Sequence, residues 1–179
     1  FVFADVHDEF VARAVRFTRS LKLGNGLDPA TDVGPMINLR QLEEVHARVT
    51  EARQDGARVL TGGRRSRKHE RGYFYEPTVL TDVDHQMRVM REESFGPLLP
   101  IMRVRDEAEA LRLANDSSYG LNASIWTRDR RKGVEIARSI DSGCAVVNDC
   151  MVTYGIPESP FGGVKSSGIL GHCCRSGCA

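Results

Sequence analysis

A carboxylate, an aromatic ring and a glycine-proline turn stand together in Glu92-Glu93-Ser94-Phe95-Gly96-Pro97. A second ring precedes paired glycines in Pro160-Phe161-Gly162-Gly163-Val164-Lys165-Ser166-Ser167-Gly168. A carboxylate accepts two hydrogen bonds from a vicinal diol, and a ring held by a rigid turn offers its face to a flat group. The combination is equipment for holding a sugar that carries a heteroaromatic ring. No activated nucleophile stands in either stretch. Taken singly, each residue also fits a plainer role. Glu93 fits a surface carboxylate on a loop, Phe95 a core ring plugging a sheet edge, and Phe161 fits core packing as well as it fits a site lining. Glu92 carries no assignment.

Cysteines are the obvious place to look for the missing nucleophile. Cys144 opens an apolar run and reads as a buried, inert thiol, and Cys150 has no cationic sequence neighbour to lower its pKa. Neither is expected to be catalytic. Five cysteines, three of them in the last seven residues, do not form a disulfide framework. The run His172-Cys173-Cys174-Arg175-Ser176-Gly177-Cys178 lacks the two separated knuckles of a zinc site, so no metal is expected and residues 169–179 read as a disordered tail. His46 and His85 read as surface residues.

The elements that must position these groups follow from hydrophobic period and turn chemistry. Phe1 to Ala4 reads as a short buried strand, and Asp8 to Leu23 as a helix with Phe10, Val11, Val15, Phe17 and Leu21 near helical spacing. A turn-rich segment through Gly34-Pro35 leads to Asn38, which can cap a helix bearing Leu42, Val45, Val49 and Ala52 and ending near Gly56. Strands are expected at 58–61, at 73–80 with Pro77 at an edge or bend, at 98–104, at 123–127 and at 144–148. Helices are expected from Asp106 to about Ala114 and from Arg130 to Ile140. Short apolar strands alternating with helices predict an α/β fold with a mostly parallel sheet covered by helices on both faces, and no second domain boundary is visible.

A chain of 179 residues with 41% hydrophobic and 27% charged residues and a net charge of +1 has ordinary globular composition. It lacks the positive field that nucleic acid or an anionic membrane favours, and the basic stretch from Gly62 to Arg71 reads as a solvated loop. No apolar run approaches the ~18 residues of a transmembrane helix, and acidic Asp5 directly after Phe1-Val2-Phe3 is unlike a signal peptide, so a cytoplasmic protein without nucleic-acid or membrane partners is expected.

In this order and spacing the motifs resemble the aldehyde dehydrogenase superfamily. Besides the two opening stretches, the resemblance rests on Leu23-Gly24-Asn25, Leu27-Asp28, Gly34-Pro35, Tyr73-Phe74-Tyr75-Glu76-Pro77-Thr78, Leu113-Ala114-Asn115-Asp116, Tyr119-Gly120-Leu121 and Val147-Asn148. It covers residues 1 to 168, which are expected to form an incomplete catalytic domain of that family. What it implies is NAD- or NADP-dependent oxidation of an aldehyde to a carboxylic acid by way of a cysteine thiohemiacetal and thioester. By the same resemblance Glu93 binds the nicotinamide-ribose hydroxyls, Phe95 packs near the nicotinamide, and Phe161 lines the aldehyde pocket. Asn148 is expected to tie the loop that follows it, and residues 151–159 to shape the pocket.

The family's nucleophilic cysteine, base and oxyanion asparagine precede a strand like Phe1-Val2-Phe3, and the chain has no Gly-rich dinucleotide fingerprint. This chain alone is therefore expected to be an inactive part of a homo-oligomeric enzyme. After Gly168 relatives continue with Gly-Arg and a strand used in subunit association, whereas Ile169-Leu170-Gly171-His172 follows here, as a truncated or shifted reading frame would produce. Two other readings stay open: a non-catalytic binding or interaction module of the same fold, and a related semialdehyde or acyl-phosphate reductase.

Overall fold

A computed structural model describes residues 1–156 and 161–168, apart from the side chain of Tyr154. The chain divides into two compact units, Phe1–Asp106 and Glu107–Ala179. The division falls at Arg105-Asp106-Glu107, between a strand and a helix, with no glycine or proline to mark it.

The first unit contains β1 (Val2–Phe3), α1 (Ala4–Ser20), α2 (Leu39–Gln54), β2 (Arg58–Thr61), β3 (Thr78–Thr81), α3 (Arg88–Arg91), β4 (Leu98–Pro100) and β5 (Arg103–Val104). β3 lies between β2, antiparallel to it, and β4, parallel to it, while β1 pairs in parallel with β5. The run 98–104, expected as one strand, is shared between two partners. Leu98–Pro100 pairs with β3, the Ile101 N–H still donates to Leu80 O at 2.9 Å, and Arg103–Val104 then joins β1. The run 73–80 is likewise shorter as a strand. Regular pairing begins only after Pro77, which has no N–H to give, and Tyr75 makes an isolated bridge to Arg65 instead.

Asn38 caps α2 as its sequence position predicts, its Oδ1 accepting the Gln41 N–H at 2.8 Å. The helix buries Leu42, Val45, Val49 and Ala52 against Tyr75, Leu80, Val83, Met87 and Val89, which form the core of this unit. Burial pushes the Tyr75 phenol up to about 12, and its hydroxyl lies 3.2 Å from Nδ1 of the exposed His46.

α1 departs from its expected stripe. It begins at Ala4 and turns His7 inward, with Val11 and Val15 half-buried on that side. Phe10 and Phe17, about a quarter turn away at 100° per residue, stay 45% and 67% exposed. His85 departs too. Expected at the surface, it is 6% exposed, its ring 6.1 Å from that of Phe1 and its Nε2 3.2 Å from Nη1 of Arg91. A guanidinium only donates, so Nε2 is the acceptor in this contact.

The second unit contains α4 (Glu107–Asn115), β6 (Tyr119–Gly120), β7 (Asn122–Ile125), α5 (Arg130–Arg138), β8 (Cys144–Val147), a 3₁₀ turn at Val152–Tyr154 and β9 (Val164–Lys165). β7 and β8 run parallel, from Asn122 opposite Cys144 to Ile125 opposite Val147. α5 packs on this pair through Gly133, where a Cβ would stand 2.8 Å from Val147 Cγ1. β6 and β9, two residues each, pair antiparallel and are too short to read from period.

The fold is α/β with mostly parallel pairing: β1–β5, β3–β4 and β7–β8 against antiparallel β2–β3 and β6–β9. Among the described residues the pairs form four short sheets rather than one. Among the described residues no helix is long and apolar enough to cross a membrane. Residues 169–179, with Cys173, Cys174 and Cys178, lie outside the described residues.

Candidate functional site: a clamped loop and a pinned turn

The loop 92–97 leaves the end of α3 and is gripped by α2. Arg48, on the buried face of α2 and itself 9% exposed, donates through Nη1 to the backbone carbonyl of Glu93 and, at 3.4 Å, to Ser94 Oγ. Its Nη2 lies 3.3 Å from the Glu92 carboxylate, which also takes Arg88 Nε at 2.8 Å, while Arg88 reaches Glu51 at 3.3 Å. Glu92, unassigned in the sequence, is thus the anionic centre of an ion-pair network. Gln41 Nε2 donates to Phe95 O at 3.3 Å, and Pro97 O accepts the Thr78 N–H at 2.8 Å at the start of β3. Gly96 lies against the helix: a Cβ there would stand 2.6 Å from Val45 Cγ2.

All these bonds engage backbone groups or the side chains of Glu92 and Ser94. The Glu93 carboxylate is exposed and has no hydrogen-bond or ion-pair partner among the described residues. The Phe95 ring is 72% exposed, so it is not a core plug. A wetted carboxylate and an uncovered ring, two residues apart on a backbone fixed at several points, are an acceptor and a platform for a ligand with a diol and a flat ring. These residues fit the ribose and nicotinamide of a dinucleotide.

In the second unit the Gly-rich turn is pinned to the segment 115–120. Lys165 Nζ donates to Asn115 O at 2.8 Å, Ser166 N to Ser118 O at 2.9 Å, and Gly120 N to Ser167 Oγ at 3.0 Å. Asn115 also donates to Ser139 O at 2.9 Å and accepts Asp141 N at 2.8 Å, which joins the end of α4 to that of α5. Gly143 and Gly162 touch backbone to backbone, so that a Cβ on Gly143 would stand 1.7 Å from Gly162 O. The neighbouring Phe161 is half-buried. Glu93 and Phe95 therefore share one loop of the first unit, and Phe161 belongs to the second.

Asn148 binds differently from its expected role. It sits at φ 59°, and its amide pairs with Thr127 in both directions at 2.8 Å, closing the end of the β7–β8 pair rather than tying the loop after it. That loop is tied by Asp149, whose carboxylate accepts the Met151 and Val152 N–H groups at 2.6 and 2.8 Å, and these bonds hold its pKa below the usual carboxylate value. Met151, Val152 and Ile156 are 63%, 40% and 42% exposed, while 157–160 lie outside the described residues. Cys144, expected buried, is only half-buried, β8 pairing with β7 alone among the described residues, and Cys150 is exposed.

The sequence motifs assign no site role to Arg48, Asn115 or Gly143. Arg48 had a signal: position 48 falls on the stripe of 45, 49 and 52, and a guanidinium on a buried stripe must find partners.

Residues 1–176 match the model of the aldehyde dehydrogenase family, and the chain belongs to that family. It is 46% identical over 161 residues to a 4,4'-diapolycopene aldehyde oxidase of Methylomonas, covering 90% of this chain and 29% of that one. It is 39% identical over 177 residues to a probable NADP(+) succinate-semialdehyde dehydrogenase of Sinorhizobium fredii, covering 99% and 35%. Among solved structures, a Mycobacterium tuberculosis aldehyde dehydrogenase complexed with NAD+ superposes with a TM-score of 0.89 at 39% identity, covering 94% of this chain and 35% of that one. A Staphylococcus aureus betaine aldehyde dehydrogenase with NAD+ gives 0.90 at 34% identity, covering 95% and 35%. The chain spans about a third of the length of these relatives.

Proposed function

We propose that this chain is the nicotinamide-ribose side of an NAD- or NADP-dependent aldehyde dehydrogenase whose parent protein oxidises an aldehyde to a carboxylic acid. The observation that carries this reading is the loop 92–97, with its backbone clamped and its Glu93 carboxylate and Phe95 ring left free. Glu93 accepts hydrogen bonds from the two hydroxyls of the nicotinamide ribose, and Phe95 packs against the nicotinamide. Phe161 lines the aldehyde pocket. When bound, the dinucleotide supplies the hydride acceptor. The nucleophile is a cysteine of the parent outside these residues, forming in turn a thiohemiacetal and a thioester that water hydrolyses. The cofactors held by relatives, NAD+ and NADP+ by name, support the assignment.

With a net charge of +1 the chain offers no field for a polyanion, and we place the parent in the cytoplasm as a homo-oligomer acting on a small-molecule aldehyde. The 179-residue chain alone is expected to give no cysteine-dependent aldehyde oxidation with NAD+ or NADP+; turnover abolished by thiol alkylation would contradict that.

In the parent, Glu93→Gln is expected to raise the KM for the dinucleotide by about tenfold, the effect of losing about 1.4 kcal/mol of charge-assisted hydrogen bonding, with the aldehyde KM changed less than twofold. Unchanged dinucleotide kinetics would remove Glu93 from the site.

A further inference from the structure

We infer that Arg48 is the positioning residue of the 92–97 loop, the group that holds Glu93 and Phe95 in a fixed stance before the dinucleotide arrives. The inference rests on the cofactor reading above. A guanidinium on the core face of a helix is costly unless its donors are satisfied, and Arg48's hydrogen-bond and ion-pair partners among the described residues are three consecutive residues. It takes the backbone carbonyl of Glu93, the hydroxyl of Ser94 and the carboxylate of Glu92. None of these occupies the Glu93 carboxylate, which stays free for a ligand.

The geometry separates holding from binding. Charge is spent on Glu92, whose carboxylate sits between Arg48 and Arg88, while the neighbouring Glu93 is held by its main chain alone. Downstream, Gln41 and Thr78 take the carbonyls of Phe95 and Pro97. Of these contacts, only those of Arg48 reach Glu93. Without them the loop would have to be ordered on binding, and that cost falls on dinucleotide affinity rather than on the aldehyde. Lysine cannot replace the fork, because one ammonium on a flexible stem does not span a carboxylate, a hydroxyl and a carbonyl together.

The test uses the parent protein with NAD+ or NADP+, whichever it turns over, and three variants: Arg48→Lys, Arg48→Met and Glu92→Gln. Arg48→Lys and Arg48→Met are expected to raise the dinucleotide KM by about tenfold, and Glu92→Gln, which keeps the shape and loses the charge, by about threefold, each leaving the aldehyde KM within twofold. In cofactor-free protein, hydrogen exchange of amides in 92–97 should accelerate while α2 keeps its wild-type protection. Arg48→Lys combined with Glu93→Gln should cost less than the product of the single effects, since both act on one contact.

Wild-type dinucleotide KM and wild-type exchange at 92–97 in both Arg48→Lys and Glu92→Gln would overturn the inference, whether or not Arg48→Met folds. A lowered unfolding midpoint with no split between the two KM values would reduce Arg48 to a core residue and overturn it equally. If Glu93→Gln alone is silent, the cofactor reading fails. If Glu93→Gln is effective and Arg48→Lys is not, only the positioning role fails.

Discussion

Gly143→Ala is expected to destabilise the second unit by about 2 kcal/mol and to damage aldehyde handling, because the new methyl meets backbone that cannot swing aside. Its Cβ would stand 1.7 Å from Gly162 O and 2.6 Å from Gly162 C. Gly143 is tied to Gly120 O at 2.9 Å and the next residue, Cys144, to Leu121 O at 3.0 Å, so this side of the contact is fixed by the β6–β7 connection. The displacement therefore falls on Gly162, whose chain neighbour is Phe161. In the parent protein the unfolding midpoint should fall and the aldehyde KM rise, with the dinucleotide KM near wild type. A variant of unchanged midpoint and unchanged aldehyde KM would show that the Gly143–Gly162 contact does not fix the turn.

Gly96→Ala should have the opposite kinetic signature. Its methyl would meet Val45 Cγ2 at 2.6 Å and Cγ1 at 3.3 Å, and Val45 is fully buried and cannot move away. Overpacking of this kind costs about 1–3 kcal/mol, shared between α2 and the loop. A loop pushed off the helix loses the Gln41 and Arg48 bonds, so the dinucleotide KM should rise while the aldehyde KM stays. Adding Val45→Ala removes both of these contacts and leaves the methyl against only the flexible end of Met36, whose Cε would stand 3.2 Å away. The double variant should recover much of the dinucleotide affinity although Val45→Ala alone leaves a destabilising cavity. Failure of the second change to recover any affinity would argue that Gly96 acts through the turn itself and not through contact with α2.

The legible parts of the fold were those with a local cause. α2 could be read from a capping asparagine and a stripe of four apolar residues, and α5 and β8 from period and run length. Partnership was harder. Nothing local says that 98–100 pairs with β3 and 103–104 with β1, because a change of partner leaves the apolar run intact. The two-residue strands β6 and β9 exist only because Lys165, Ser166 and Ser167 bind residues about fifty positions earlier.

The candidate site divided in the same way. Glu93, Phe95 and Phe161 stood out by residue type, by turn chemistry and by family resemblance. The groups that hold their loops did not, because Arg48 and Gly143 act through a carbonyl and a missing atom that no motif records, and Asn115, though inside Leu113-Ala114-Asn115-Asp116, receives Lys165 through its backbone carbonyl. His85 is buried against its sequence expectation for a related reason: an isolated polar residue reads as surface until its neighbours, here Phe1 and Arg91, are known.

The most direct measurement is calorimetric titration of the parent protein and its Glu93→Gln variant with NAD+ or NADP+. If the exposed carboxylate on the clamped loop grips the nicotinamide ribose, the variant's dissociation constant rises by about tenfold at an unchanged unfolding midpoint. Equal dissociation constants for the two proteins would contradict it.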